Sequence, residues 1–236
     1  MIAESTVTSL SKLAGVGSYS SHEAARLLRT PKRNIDRWMR GYQYRRKGET
    51  HHVAPLWRPQ HNLSDSTIEL GFRDLIELRF VAAFLDAGLH LLTIRNCLEY
   101  ARDCVSDEHP FSTQRFQTDG KTIFLESIDR ASDIKLLDLK RKQYAFKQVI
   151  ERSFKDLDIE DGAVARWRPF KGKSSIVIDP ERAFGQPITS RAGIPTAVLA
   201  DAVEAEGSAE RAARVFEVTV SVVRDALAFE QTLDRP

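Results

Sequence analysis

Apolar residues recur at helical spacing in short runs separated by Gly, Pro, Ser and Thr, and strict alternation is confined to brief stretches. Ser20-Ser21-His22-Glu23 has the form of a capping box, a hydroxyl followed three residues on by a glutamate. Ala24, Ala25, Leu27 and Leu28 then predict a helix of about two turns. Thr30-Pro31 predicts a second start, with the threonine as cap and the proline in the first helical position, where its missing N–H costs nothing. Ile35, Trp38 and Met39 supply the apolar stripe of this helix, and Gly41 a stop. Two short helices joined by a tight turn make a helix-turn-helix. Tyr42 to Arg46, a turn at Lys47-Gly48-Glu49-Thr50, and His51 to Trp57 predict a hairpin with a basic tip, a wing behind the second helix. Pro55 and Pro59 restrict it to edge pairing.

Farther along, residues 70–87 read as a strongly amphipathic helix closed by Gly88, and residues 91–105 as another, with Leu92, Ile94, Leu98 and Ala101 as its apolar positions. Thr118-Asp119-Gly120-Lys121 predicts a hairpin turn between residues 115–117 and 122–125, because Asp-Gly favours the tight turns of hairpins. A helix is expected over residues 141–157, and short strands at 166–169 and 176–178 around Lys171-Gly172-Lys173. A loop punctuated by Gly and Pro, residues 179–195, leads to three helices at 196–206, 209–216 and 220–232, with Ser208 and Thr219 as caps. The expected fold class is mainly α with short β-hairpins: an N-terminal winged helix-turn-helix plus a C-terminal three-helix module whose last pair is also shaped like a helix-turn-helix.

The 236 residues are 42% hydrophobic and 29% charged, a globular composition. No apolar run reaches the ~20 residues of a membrane span. The start has neither the basic end nor the apolar stretch of a signal peptide, so a cytoplasmic location is expected. Cys97 and Cys104 lie seven apart on one predicted helix, too far for a disulfide; both are expected in packing. The net charge of +2 conceals an asymmetry. Residues 1–59 hold eleven Lys/Arg against four acids, a net of +7, whereas residues 196–236 hold four against eight, a net of −4. The basic end suits a polyanion and the acidic end a different partner.

The second helix of a helix-turn-helix enters the major groove with its early residues over base edges. Here these are Lys32, Arg33, Asn34, Arg37 and Arg40; the four cations, with Asp36, flank a face opposite the Ile35/Trp38/Met39 stripe. Arg33 and Arg37, one turn apart, suit guanine edges or phosphates, and Asn34 suits adenine. Arg45, Arg46 and Lys47 at the wing suit phosphates, which add affinity without sequence information. Six such contacts would make affinity fall with about the fifth power of salt. No enzyme chemistry stands out. Residues 156–162 resemble the opening of a calcium loop, but the glycine is one place late and Trp167 replaces the bidentate glutamate, so an acidic loop is expected. Cys104 with His109 is too small a set for zinc, and His51-His52 would point to opposite faces of a strand. Neither a nucleophile motif nor a phosphate-cradling glycine loop is present. The expectation is a non-enzyme with no cofactor and no metal.

Tyr19 to Arg40, with Leu70-Gly71-Phe72-Arg73-Asp74-Leu75-Ile76-Glu77-Leu78-Arg79 and Asp86-Ala87-Gly88-Leu89, resembles the MerR-type DNA-binding domain. The wing is longer than in that family, and His90 stands where a serine cap is common. Ile176-Val177-Ile178-Asp179-Pro180, Phe184-Gly185-Gln186-Pro187 and Gly193-Ile194-Pro195-Thr196, with the helices after them, resemble the domain of unknown function 433. Their order, with Gln143-Tyr144-Ala145-Phe146 and Trp167-Arg168-Pro169 between, is similar to VapB-like type II antitoxins. The first seventeen residues, rich in Ser, Thr and Gly, are expected to form a flexible arm (1–17), and the resemblance implies a MerR-like winged helix-turn-helix (18–110), a linking hairpin/helix segment (111–175) and a three-helix module (176–236). It also implies a repressor that binds double-stranded operator DNA of its own operon, as a homodimer on a palindrome, and neutralises a PIN-like ribonuclease toxin. The acidic residues 176–236 are the candidate toxin-holding part. The alternatives are a stand-alone MerR-like transcriptional regulator, whose later segments sense a ligand or dimerise, and an adaptor or enzyme that does not bind DNA.

Overall fold

A computed structural model of the chain describes residues 16–61, 67–130, 136–170 and 173–233. The expected arm therefore falls, at residues 1–15, outside the described residues, as do Lys171 and Gly172. The fold is mainly helical with short strand hairpins, and divides into two units, residues 19–164 and residues 165–236 with those up to 18.

In the first unit, β1 (Tyr19–Ser20) leads into α1 (Ser21–Leu28) through the predicted capping box. The Ser20 hydroxyl accepts from the Glu23 N–H at 3.2 Å and the Glu23 carboxylate accepts from the Ser20 N–H at 2.8 Å. Ser20→Ala is expected to cost about 1 kcal/mol in urea unfolding; a loss within error of zero would show that the cap is redundant. Arg29, in the left-handed region at φ 50°, ends α1, and α2 (Lys32–Arg40) follows. The expected threonine cap is not formed. Thr30 is buried, donates its hydroxyl to the Leu28 carbonyl and its N–H to the Ala25 carbonyl, and so closes α1. Pro31 takes the cap position of α2 without a side-chain bond, and its carbonyl accepts from Asn34 N–H. Ile35, Trp38 and Met39 are buried as their spacing required.

β2 (Tyr42–Arg46) and β3 (Glu49–Val53) form the predicted hairpin, its turn tightened to Lys47-Gly48, both at positive φ. Gly41 makes the joint from α2: its φ is +73°, and a Cβ there would lie 2.2 Å from the Val53 carbonyl oxygen. β4 (Glu69–Leu70) pairs with β1.

The centre of this unit is α3 (Phe72–Asp86). It is buried nearly all round, at Phe72, Leu75, Ile76, Leu78, Phe80, Val81 and Phe84 and also at Asp74 and Glu77, and is not amphipathic as its pattern suggested. Its two buried acids have partners far along the chain. Gly88 follows it at φ 85°, and α4 (Leu91–Val105) has the predicted bounds.

Where an Asp-Gly hairpin was expected, the chain forms α5 (Gln114–Arg130), a helix of 17 residues. Phe116, Gly120, Ile123, Phe124, Ser127 and Ile128 are buried along one helical face, and this burial outweighs both the turn preference and the ~1 kcal/mol cost of a helical glycine. The next helix, α6 (Leu136–Ser153), starts and ends earlier than expected. Phe84, Phe124 and Phe146 stack at centroid distances of 4.6 and 4.0 Å, and Phe80, Phe111, Phe116 and Phe154 complete an aromatic core. The acidic stretch read as a loop is β5 (Leu157–Glu160) and a turn at Asp161-Gly162, both at positive φ, before β6 (Ala163–Trp167).

In the second unit Trp167 pairs with Ile178 of β7 (Ile176–Ile178), which pairs antiparallel with β8 (Pro187–Thr189). Three helices follow as predicted: α7 (Thr196–Glu206), α8 (Ala209–Val215), capped by Ser208, and α9 (Val220–Leu233). Leu199, Ala212, Ala213, Val223 and Ala226 form their core. Among the described residues no helix is long and apolar enough to cross a membrane.

Candidate nucleic-acid interface

The α2 stripe is buried in the first unit, so the opposite face points outward. Lys32, Arg33, Arg37 and Arg40 are exposed on it. Lys32 pairs with Asp36 at 2.6 Å, one turn on, with the lysine 53% exposed. An exposed pair of this kind is worth about 0–1 kcal/mol, so Lys32 can exchange its partner for a phosphate at little cost. Arg33 is exposed and makes no ion pair among the described residues. The Arg37 guanidinium lies over the Tyr42 ring, 3.9 Å from its centroid. Arg40 shares a cleft with Lys32, Asp36 and His22. Asn34 is half-buried, toward the Trp38 side of the helix, so it is less extended from the surface than its neighbours. Arg45, Arg46 and Lys47 are all exposed.

Sequence reasoning passed over the aromatic side chains of the wing. Alternation places Tyr42, Tyr44 and Arg46 on one face of β2, and Gln43 and Arg45 on the other. Tyr44 pairs with His51 across the strands, ring on ring at 5.0 Å, and Tyr42 and Tyr44 are 6.2 Å apart. A ladder therefore runs from Arg37 on α2 through Tyr42 and Tyr44 to His51. The signal for it was present as Tyr-x-Tyr in a predicted strand.

The root of the wing is tied down. Leu56 N–H donates to the Trp38 carbonyl, and Arg95 and Arg102 of α4 donate to the carbonyls of Ala54, Pro55 and Leu56. Asp74 of α3, fully buried, accepts from Trp57 Nε1 at 2.8 Å and from the N–H groups of Gln60 and Gly71, each at 2.9 Å. His109 Nε2 is 2.8 Å from the same carboxylate. These bonds use both oxygens of Asp74 and hold the chain leaving the wing against the central helix. One turn on, Glu77 accepts from Ser112 N–H at 2.8 Å, while its buried Oε2 has no hydrogen bond at normal length among the described residues. Burial raises its pKa from 4.5 to about 7, against the opposing pull of His109, the Ser112 N–H and Arg73.

Among the described residues no group of three or more His, Cys, Asp or Glu is placed to hold a metal ion. Cys97 is buried and burial pushes its thiol up to about 12, which leaves it unreactive. Cys104 is only half-buried, less enclosed than expected.

Residues 17–98, from the start of the helix-turn-helix into α4, match the family described as "Putative DNA-binding HTH domain". A protein of Mycobacterium tuberculosis (strain ATCC 25618 / H37Rv) named "Putative antitoxin VapB45" is 27% identical over 221 residues, covering 89% of this chain and 92% of its own. The crystal structure of Rv2018 from Mycobacterium tuberculosis is similar in fold, with a TM-score of 0.70 at 22% identity over 89% of this chain and 96% of that one. The chain carries an N-terminal helix-turn-helix domain of the DNA-binding kind.

Proposed function

We propose that the protein is a DNA-binding type II antitoxin that represses its own operon and neutralises a PIN-like ribonuclease toxin. The observation that carries the DNA half is the outward cationic face of α2 leading without interruption into a wing whose tip bears Arg45, Arg46 and Lys47. Lys32, Arg33, Asn34, Arg37 and Arg40 address the major groove, and the wing addresses phosphates. A homodimer on a palindromic operator would present two such sets at half-site spacing. The antitoxin half draws its support from the relative's name and from its coverage of nearly the whole chain. Residues 176–236 are the proposed toxin-holding part, with −4 over 196–236 suited to the basic surface of an RNA-cleaving enzyme.

Two measurements test the two halves. Full-length protein co-expressed with the product of the adjacent reading frame should purify as a complex; a protein that emerges alone rejects the antitoxin half. For the DNA half, Arg45→Ala plus Arg46→Ala should flatten the slope of log affinity against log salt by about two on every sequence. Since Arg45 and Arg46 lie on opposite faces of β2, a change of two fits a wing entering a groove edge-on, between two phosphate rows. An unchanged slope removes the wing from the interface.

A further inference from the structure

The Arg37–Tyr42 contact bears on how a base sequence is read, and its role rests on the proposed binding of DNA. Arg37 is exposed although its guanidinium lies 3.9 Å from the Tyr42 centroid. A guanidinium laid on a ring gives up rotamer freedom but keeps its N–H donors, which lie in its own plane around the rim. Those in-plane donors are the ones that meet O6 and N7 of guanine bidentately. Tyr42 is itself fixed in its backbone and supported at its ring. It directly follows Gly41, whose neighbourhood admits no side chain; it is in register with Val53; and its ring leans on Tyr44, which stacks on His51. Arg33, one turn earlier, has no such platform among the described residues.

We propose that Tyr42 is a positioning residue for sequence readout: its ring holds Arg37 in an edge-on pose suited to a guanine in the major groove. Arg37 is then the principal discriminating side chain of α2, and Tyr42 acts only through it. Non-specific affinity, which comes from phosphate contacts, is independent of Tyr42.

The test uses full-length protein and the duplex it enriches from a randomised library, with a scrambled duplex of equal length as the non-specific probe. Tyr42→Leu should weaken the enriched duplex about tenfold and leave the scrambled one unchanged, while Tyr42→Phe, which keeps the ring, stays within about twofold. In an Arg37→Ala background, Tyr42→Leu should add nothing further. A merely structural role for Tyr42 predicts the same cost with and without Arg37, or equal losses on both duplexes, and either result overturns the assignment alone. Wild-type protein that enriches no duplex overturns it together with the DNA reading beneath it.

Discussion

Replacing Arg33 and Arg37 together by alanine is expected to cost sequence-specific DNA binding about a thousandfold, since each bidentate base contact is worth about 1–3 kcal/mol. Both side chains are exposed, and neither makes an ion pair among the described residues, so the fold has little to lose. The buried stripe of Ile35, Trp38 and Met39 that holds α2 in place is untouched. Circular dichroism should therefore match wild type, and stability should stay within the ~1 kcal/mol of the exposed Arg37–Tyr42 contact, while a mobility-shift assay with the gene's own promoter shows no specific complex. A variant that shifts this DNA like the wild type removes α2 as the reading helix. Loss of binding accompanied by loss of the fold would instead expose a structural role for these arginines beyond the single Arg37–Tyr42 stacking contact.

The second large effect concerns stability. Glu77 has its pKa raised from 4.5 to about 7 because a fully buried carboxyl resists ionisation. Between these values the folded protein keeps a proton that the unfolded chain has released. The contribution is thus fully present below pH 4.5 and is lost as pH rises through 7, by about 3 kcal/mol in all. Glu77→Gln is expected to abolish this loss, because the amide carbonyl still accepts from Ser112 N–H and no charge need form. Urea unfolding of both proteins from pH 4.5 to 8 should give curves that diverge as pH rises, with the variant more stable at the alkaline end. Parallel curves would show that the Glu77 site is wetter than its burial implies. The same glutamate was invisible as a special residue in the sequence, where it falls in an ordinary helical run of charged and apolar positions.

What the chain reveals of itself depends on how far each residue's partners lie. The helix-turn-helix was legible because its signals are local: Ser20 and Glu23 are three apart, the α2 stripe is one turn, and Lys47-Gly48 closes strands on either side of it. The three C-terminal helices were legible for the same reason, being bounded by Gly207 and the hydroxyl residues Ser208 and Thr219. Asp119-Gly120 misled because a turn preference of this size is overridden when Phe116, Ile123 and Phe124 each bury a full side chain on one helical face. Asp74 and Glu77 give no local signal of their roles, because their partners, Trp57, His109 and Ser112, stand 17 and 35 residues away. The candidate DNA contacts were chosen by residue type and helical angle, which locate exposed cations well. Such reasoning does not show that Arg37 rests on Tyr42, a contact made between two elements.

The joint at Gly41 sets a limit on which changes the hairpin tolerates. Recognition helix and hairpin meet where a carbonyl would collide with any side chain, whereas a Cβ at the far end of the hairpin, on Gly48, would meet nothing within 4 Å. A hairpin lengthened or shortened at its outer end is therefore expected to leave the joint intact. A side chain at Gly41 would instead push the hairpin away from α2, and with it the cationic tip away from the cationic helix face.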